Sequence, residues 1–176
     1  MNTYKNKTEK IITYTVFTIY LLFLTWLVLF KLAVDPKMIP HMRGINLIPF
    51  YYKTESTTHL REVLFNVLVF IPAGFYFTAT NKTHNLFSGL KAVMILSISY
   101  EFIQLLFAIG ATDITDVITN TAGGFLGMCL YVFLGRVLAS RRLTLINTIG
   151  IILESGTLLF VSMVISTTTS LFIIFL

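Results

Sequence analysis

The stretch 106-LFAIGATDITDVITNTAGGFLG-127 places Asp113, Asp116 and Asn120 directly against a glycine-rich apolar run. An apolar segment lies on each side of Asp113 and Asp116, at about 89 to 109 and at about 117 to 138, and Asn120 lies near the start of the second. Segments of roughly 20 apolar residues can cross the ~30 Å hydrocarbon core of a bilayer as helices. The stretch therefore predicts a turn between two membrane-spanning helices, with polar groups at the membrane boundary.

The composition of the whole chain extends this prediction. The chain has 176 residues, of which 56% are hydrophobic and 12% charged, and its mean hydropathy is +0.82. These values lie outside the range of soluble globular proteins. We expect an all-α, polytopic integral membrane protein with about five transmembrane helices in a single domain over residues 1–176. The predicted spans are about 11–34, 61–80, 89–109, 117–138 and 148–176.

The distribution of basic residues predicts the orientation, because Lys and Arg are in excess on the cytoplasmic side. A cytoplasmic N-terminus places eight of the 13 Lys and Arg residues inside and five outside. The C-terminus and the loop that carries Asp113 and Asp116 are then extracellular. Topology also explains the net charge of +5 better than nucleic-acid binding does, since the basic residues are dispersed among the loops.

Two regions are less regular than the predicted spans. The outer loop 35–60 contains three prolines and the aromatic run 50-FYY-52, so we expect it to be ordered, as a re-entrant segment or an interfacial helix. In the fifth segment, 154-ESG-156 interrupts the apolar run. Either the whole segment spans, or Thr157–Leu176 spans alone, with residues 142–155 along the inner surface and Glu154 at the inner interface.

Depth and helical direction bring the polar side chains of three spans together. At 1.5 Å per residue, Asn66 and Gln104 lie ~7 Å, Asn120 ~5 Å and Glu101 ~12 Å below the outer surface. Helical steps of 100° give each span one polar or small-residue face. Because charges in the membrane are costly, these faces should meet one another or a wet cavity. The faces comprise Glu62, Asn66 and Ala73; Ser97, Glu101, Gln104 and Ala108; and Asp113, Asp116, Asn120, Gly123, Gly124, Gly127 and Tyr131.

Structural roles also fit most of these residues. Asp113 and Asp116 suit the N-cap and first turn of a helix, where carboxylates are favoured. Gly123-x-x-x-Gly127 is typical of a packing groove for a neighbouring helix, and the three amides suit interhelical hydrogen bonds. Glu101 is harder to explain, because a carboxyl at that depth has to be protonated, paired or hydrogen-bonded.

Four motifs carry a resemblance to a known family. They are 25-TWLVLFKL-32, 43-RGINLIPF-50, 65-FNVLVFIPAGF-75 and 97-SISYEFIQLLFAIGATDITDVITNTAGGFLG-127. Taken in order over roughly residues 20–135, they resemble the VanZ family of bacterial membrane proteins. The family motif falls on Arg43, Asn46, Pro49, Phe50, Asn66, Pro72, Gly74, Glu101, Gln104, Asp113, Asp116, Asn120 and Gly124. Many members have an arginine shortly before the first aspartate, whereas this chain reads 108-AIGATD-113, as resistance-type members do.

The resemblance implies a protein that lowers susceptibility to teicoplanin, a lipid-tailed glycopeptide that acts at the outer face of the cell membrane. We expect an outward-facing polar pocket for a lipid-linked or lipid-anchored cell-envelope ligand, among the membrane lipids. Its lining is predicted to be Arg43, Asn46, Asn66, Gln104, Asp113, Asp116 and Asn120, together with Glu101.

Two alternatives stay open. One is an intramembrane enzyme acting on a lipid-linked cell-wall intermediate. Glu101 would be its catalytic acid or base, and Mg²⁺ could bind Asp113 and Asp116, although no cofactor is required by the motifs. The other is a small transporter or assembly partner. A homodimer through the small-residue face around Gly127 is a further hypothesis.

Overall fold

The computed structural model describes residues 4–31, 42–51, 57–81 and 86–174. Each of its five helices is long and apolar enough to cross a membrane. The all-α, polytopic membrane class is therefore confirmed. The elements are α1 (Lys7–Phe30), β1 (Met42–Asn46), α2 (Thr57–Thr80), α3 (Leu86–Phe107), β2 (Ile109–Asp113), α4 (Ile114–Val137) and α5 (Arg142–Ile174).

Successive helices run in opposite directions. Glu9 of α1 contacts Thr144 of α5, and Thr13, one turn further along α1, contacts Asn147, one turn further along α5. These two helices are therefore parallel. Thr25 near the end of α1 contacts Tyr100 near the end of α3 in the same way. Helices α2 and α4 return in the opposite direction. The start of α1 and the end of α5 therefore lie at opposite faces of the bundle, as five spans require.

Helices α2 and α4 form the closest pair in the bundle. A side chain at Gly127 would collide with the backbone of α2 at Ile71 and Phe75, and one at Gly74 would collide with Gly124. Small residues permit such an approach between membrane helices. The predicted packing groove on the fourth span is confirmed, and it is filled by α2 of the same chain, which continues as a helix through Pro72.

Helix α5 is continuous from Arg142, which decides between the two arrangements of the last segment. Leu143 and Asn147 are buried, at 1% and 3% exposure, so the first two turns pack inside the bundle. Glu154, which was expected at the inner interface, lies within the 33-residue helix, ~18 Å from Arg142. Its neighbours Ser155 and Gly156 do not break the helix.

Two short strands pair in parallel at one end of the bundle, with Asn46 opposite Asp113 and Arg43 opposite Gly110. Where the described residues fall in the loop 35–60, residues 42–46 thus form a strand and not the expected helix or re-entrant segment. Pairing satisfies backbone groups that lie against the bundle. Residues 32–41 and 52–56 lie outside the described part of the chain. We call this end of the bundle the strand end.

Candidate functional site

Glu101 is the most deeply placed carboxylate at the strand end, and only 5% of the residue is exposed. The chain turns sharply after α3, with Ala108 in the left-handed region at φ 55°, and β2 then returns beside the helix. In this position the Asp113 backbone N–H donates to Glu101 Oε2 at 2.9 Å. The Thr112 hydroxyl donates to the Glu101 carbonyl at 3.1 Å. Glu101 therefore connects α3 to the strand that leads into α4.

Asp113 caps α4 and also holds the two strands together. Its Oδ1 accepts the Thr115 backbone N–H at 2.7 Å, as an N-cap side chain does. Its Oδ2 accepts the side-chain amide of Asn46 at 3.0 Å. The predicted cap is confirmed, and the second oxygen links the cap to β1.

Asp116 joins α4 to α2. It lies in the first turn of α4, as predicted, and its Oδ1 accepts the side-chain amide of Asn66 at 2.7 Å. Both residues are half-buried. Charge-assisted hydrogen bonds of this kind are stronger than those between neutral groups.

Two buried amides complete the contacts between helices. The Asn120 side-chain N–H₂ donates to Ser97 Oγ at 2.9 Å, and the Gln104 N–H₂ donates to the Val28 carbonyl at 3.1 Å. The carbonyl oxygens of both amides are buried, and neither accepts a hydrogen bond from the residues that the structure describes. Buried polar atoms are nearly always paired, so two unpaired acceptors at one end of a bundle require an explanation.

Among the described side chains of the site, Gln104 and Asn120 therefore each have a buried acceptor without a donor. The Asn46, Asn66, Gln104 and Asn120 amide groups all donate within the protein. Glu101, Asp113 and Asp116 lie near enough to interact electrostatically, and Lys31 at the end of α1 is a cation that acts on Asp116. The arrangement can receive groups that donate hydrogen bonds. We call these seven residues the strand-end cluster: Asn46, Asn66, Glu101, Gln104, Asp113, Asp116 and Asn120.

The strand-end cluster lies within the region that matches a known family. The VanZ/LLP1 family matches the chain over residues 17–135. The chain belongs to the VanZ family. It is also similar to Protein VanZ of Enterococcus faecium, with 42% identity over 147 residues that make up 82% of this chain and 89% of that protein. No solved structure matches the chain.

In this VanZ family protein, most of the predicted site residues form hydrogen bonds between elements at the strand end. The pairs are Asn46 with Asp113, Asp113 with Glu101, Asn66 with Asp116, Asn120 with Ser97, and Gln104 with Val28. The exposed side chain of Glu62 contacts His59 at 3.5 Å. Arg43 lies on β1 opposite Gly110, and its side chain is outside the described residues. Within the described ranges, no group of three or more His, Cys, Asp or Glu residues is arranged to hold a metal. Both Asp113 oxygens accept protein donors, and Mg²⁺ binding at Asp113 and Asp116 stays a prediction.

Thr115 was not predicted as a site residue from the sequence. The residue is 2% exposed, and its hydroxyl accepts the Phe50 backbone N–H at 3.0 Å. This bond fixes the turn after β1 on the first turn of α4. The only signal in the sequence was its position two residues after a predicted N-cap, which does not reveal a partner 65 residues away.

A second polar network, at the opposite end of this VanZ family protein, was also missed. The Thr144 hydroxyl donates to Glu9 Oε1 at 2.9 Å, and Asn147 donates to the Thr13 hydroxyl at 2.8 Å. The Tyr76 hydroxyl donates to Asn147 Oδ1 at 3.2 Å. A polar residue, Asn147, lies in a run of apolar residues, and this was the feature of the sequence that could have indicated a buried polar contact. The network fastens α1 to α5 and α2, and its side chains satisfy one another.

Proposed function

We propose that this VanZ family member lowers susceptibility to teicoplanin by receiving a cell-envelope ligand at the strand end. The ligand is lipid-linked or lipid-anchored, so that its polar part meets the cluster while its tail stays in the bilayer. The excess of basic residues at the other end supports an extracellular strand end. That orientation places the cluster on the side where teicoplanin acts.

The observation that carries the proposal is the unused acceptor capacity around Glu101. Gln104 follows Glu101 by one turn of α3, and Ser97, which holds Asn120, precedes it by one turn. The open oxygens of Gln104 and Asn120 therefore flank the buried carboxylate along the helix. A cluster that served packing alone would pair these atoms, since an unpaired buried acceptor costs about 1–3 kcal/mol. Hydroxyl or N–H donors of a headgroup would satisfy them.

Apolar side chains beside the cluster support a ligand with a lipid tail. Ile45, Leu47, Ile48 and Phe50, at the end of β1 and in the turn that follows, are all more than half exposed. The turn is fixed to the cluster by the Asn46–Asp113 and Phe50–Thr115 bonds. Apolar groups at the membrane boundary, next to polar acceptors, suit a molecule that has both characters.

The substitution Glu101→Gln tests the proposal. Glutamine retains an oxygen that can accept the Asp113 N–H, so the fold should persist while the ionisable group is lost. In a susceptible host, we expect the inhibitory concentration of teicoplanin to fall to the level of cells without the protein. The adjacent Phe102 is 63% exposed, and Phe102→Leu is a matched control that should keep full protection. Equal protection by both variants, at equal membrane abundance, would remove Glu101 from the function.

A second candidate is catalysis on a lipid-linked cell-wall intermediate. The observation that favours it is the proximity of Glu101 to Asp113 and Asp116, because neighbouring carboxyls can divide the roles of acid and base between them. Purified protein incubated with lipid-linked precursors, with and without Mg²⁺, and analysed by mass spectrometry gives the test. A product that depends on Glu101 would establish an enzyme. An unchanged precursor would leave binding as the mechanism.

A further inference from the structure

A groove between α1 and α5 lies apart from the strand-end cluster. Its volume is about 280 Å³, and it is lined mainly by apolar side chains, including Ile11 and Ile19 of α1 and Ile151 of α5. Thr15, Glu154 and Ser155 are its polar members. The whole of α5 lies beyond residues 17–135, the part that matches the family.

Glu154 lies near the middle of the membrane. It is twelve residues from the start of α5 at Arg142, a rise of ~18 Å, and the hydrocarbon core is ~30 Å thick. The facing part of α1 agrees, because Ile19 is twelve residues from the start of that helix at Lys7. This depth is the same whichever end of the bundle is extracellular.

The Glu154 carboxyl lacks a hydrogen-bonding or charged partner among the described residues of its own chain. No hydrogen bond or ion pair to it forms among the described residues, and the nearby Tyr76 hydroxyl donates to Asn147 instead. The residue is only half-buried, and Ser155 beside it is exposed. Carboxyls at this depth are costly and pair with one another or with other polar groups. Lipid tails supply no such group.

We propose that the α1–α5 groove is the interface of a homodimer, in which Glu154 bonds with the partner copy. Two copies inserted in the same direction are related by a two-fold axis along the membrane normal, so every residue meets its partner region at the same depth. A neutral carboxyl both donates and accepts, which makes it complementary to a second carboxyl or to the hydroxyls of Thr15 and Ser155. A second copy therefore provides the required group at the required height.

The remaining surfaces agree with this choice. The span Arg142–Leu159 is 11% buried within the chain, against 22–39% for the other four spans, so α5 has the most uncovered surface. The small-residue face of α4 cannot serve instead, because α2 occupies it at Gly123, Gly124 and Gly127. The proposed homodimer interface is therefore the α1–α5 groove and not the Gly127 face of α4.

Disulfide cross-linking of the full chain in native membranes tests the interface. The background is Cys129→Ser, since Cys129 is the only cysteine. Ser155→Cys places a thiol in the groove, and Leu153→Cys places one on the opposite face of α5, at a residue that is 64% exposed. We expect oxidation to trap a dimer of Ser155→Cys at least tenfold more efficiently than one of Leu153→Cys. Equal trapping, no trapping, or a cross-link to a different protein would overturn the proposal.

Substitution of Glu154 separates a specific contact from simple proximity. Glu154→Leu should weaken association of the Ser155→Cys protein about three- to tenfold, as expected for the loss of interhelical hydrogen bonds, measured by dilution of the protein into excess lipid. Glu154→Gln, which still donates and accepts, should retain association. Undiminished dimerisation of the Glu154→Leu variant would refute the role of the carboxyl. Because leucine suits a lipid-facing position, this variant should insert and fold normally.

Discussion

At the scale of single residues, Asp113 caps α4 with one carboxylate oxygen and accepts the side-chain amide of Asn46 with the other. Asp113 follows an apolar run and precedes a helix, a pattern that indicates an N-cap in any sequence. Its bond to Asn46 depends on the register of β1 against β2, over 67 residues of chain. Because helical rise is constant, the sequence predicts that Asn66 and Asp116 lie at similar depths on facing helices. It does not reveal that the Asn66 amide donates directly to the Asp116 carboxylate.

The cap leads to a prediction about stability. Asp113→Ala removes both the cap and the bond to Asn46, and we expect it to lower the free energy of unfolding by about 1–2 kcal/mol. Asp113→Asn retains an acceptor for the Thr115 N–H and should lose less than half as much. Thermal unfolding in detergent gives the comparison. Equal losses would show that the cap contributes little.

The Asn66–Asp116 pair leads to a second prediction. A double-mutant cycle with Asn66→Ala and Asp116→Ala should give a coupling energy of about 0.6–1.7 kcal/mol, the range found for polar pairs between membrane helices. Unfolding of both single variants and the double variant in the same detergent provides the measurement. Purely additive effects would contradict a direct bond in the folded protein.

At the scale of elements, the five helices were predictable because apolar length is a strong signal. The strands were not, since five residues such as 42-MRGIN-46 carry no clear alternation of apolar and polar residues. The first turns of α5 were also ambiguous. Asn147 and the ESG run look like interruptions, yet the residues around Leu143 pack into the bundle and keep the helix intact.

The close approach of α2 and α4 gives a prediction at this scale. Gly127→Ala places a methyl group against the backbone of α2 at Ile71 and Phe75, and overpacking of this kind costs about 1–3 kcal/mol. Gly156→Ala is the matched control, because a side chain there meets nothing within 4 Å. The yield of folded protein in membranes and the midpoint temperature of thermal unfolding should fall for Gly127→Ala only. A stable Gly127→Ala protein would show that the two helices are further apart.

At the scale of the whole molecule, the sequence predicted the number of spans and the meeting of three polar faces. Contacts between α1 and α5 and between α1 and α3 agree with the alternating directions that five spans require. The excess of Lys and Arg at the other end predicts that the strand end is extracellular.

Cysteine labelling of intact cells tests this orientation. In a Cys129→Ser background, Leu47→Cys places an exposed thiol at the strand end and Arg141→Cys places one at the other end. A membrane-impermeant maleimide should label the first variant in intact cells and the second only after permeabilisation. The reverse pattern would place the cluster in the cytoplasm.

The central claim is that the strand-end cluster receives a polar, lipid-attached ligand through Glu101. Native mass spectrometry of the protein in lipid, with teicoplanin or a lipid-linked cell-wall precursor added, measures this directly. We predict a mass adduct with at least one of these ligands that is retained by Phe102→Leu and lost by Glu101→Gln. Absence of any adduct, or an adduct equally abundant in both variants, would contradict the claim.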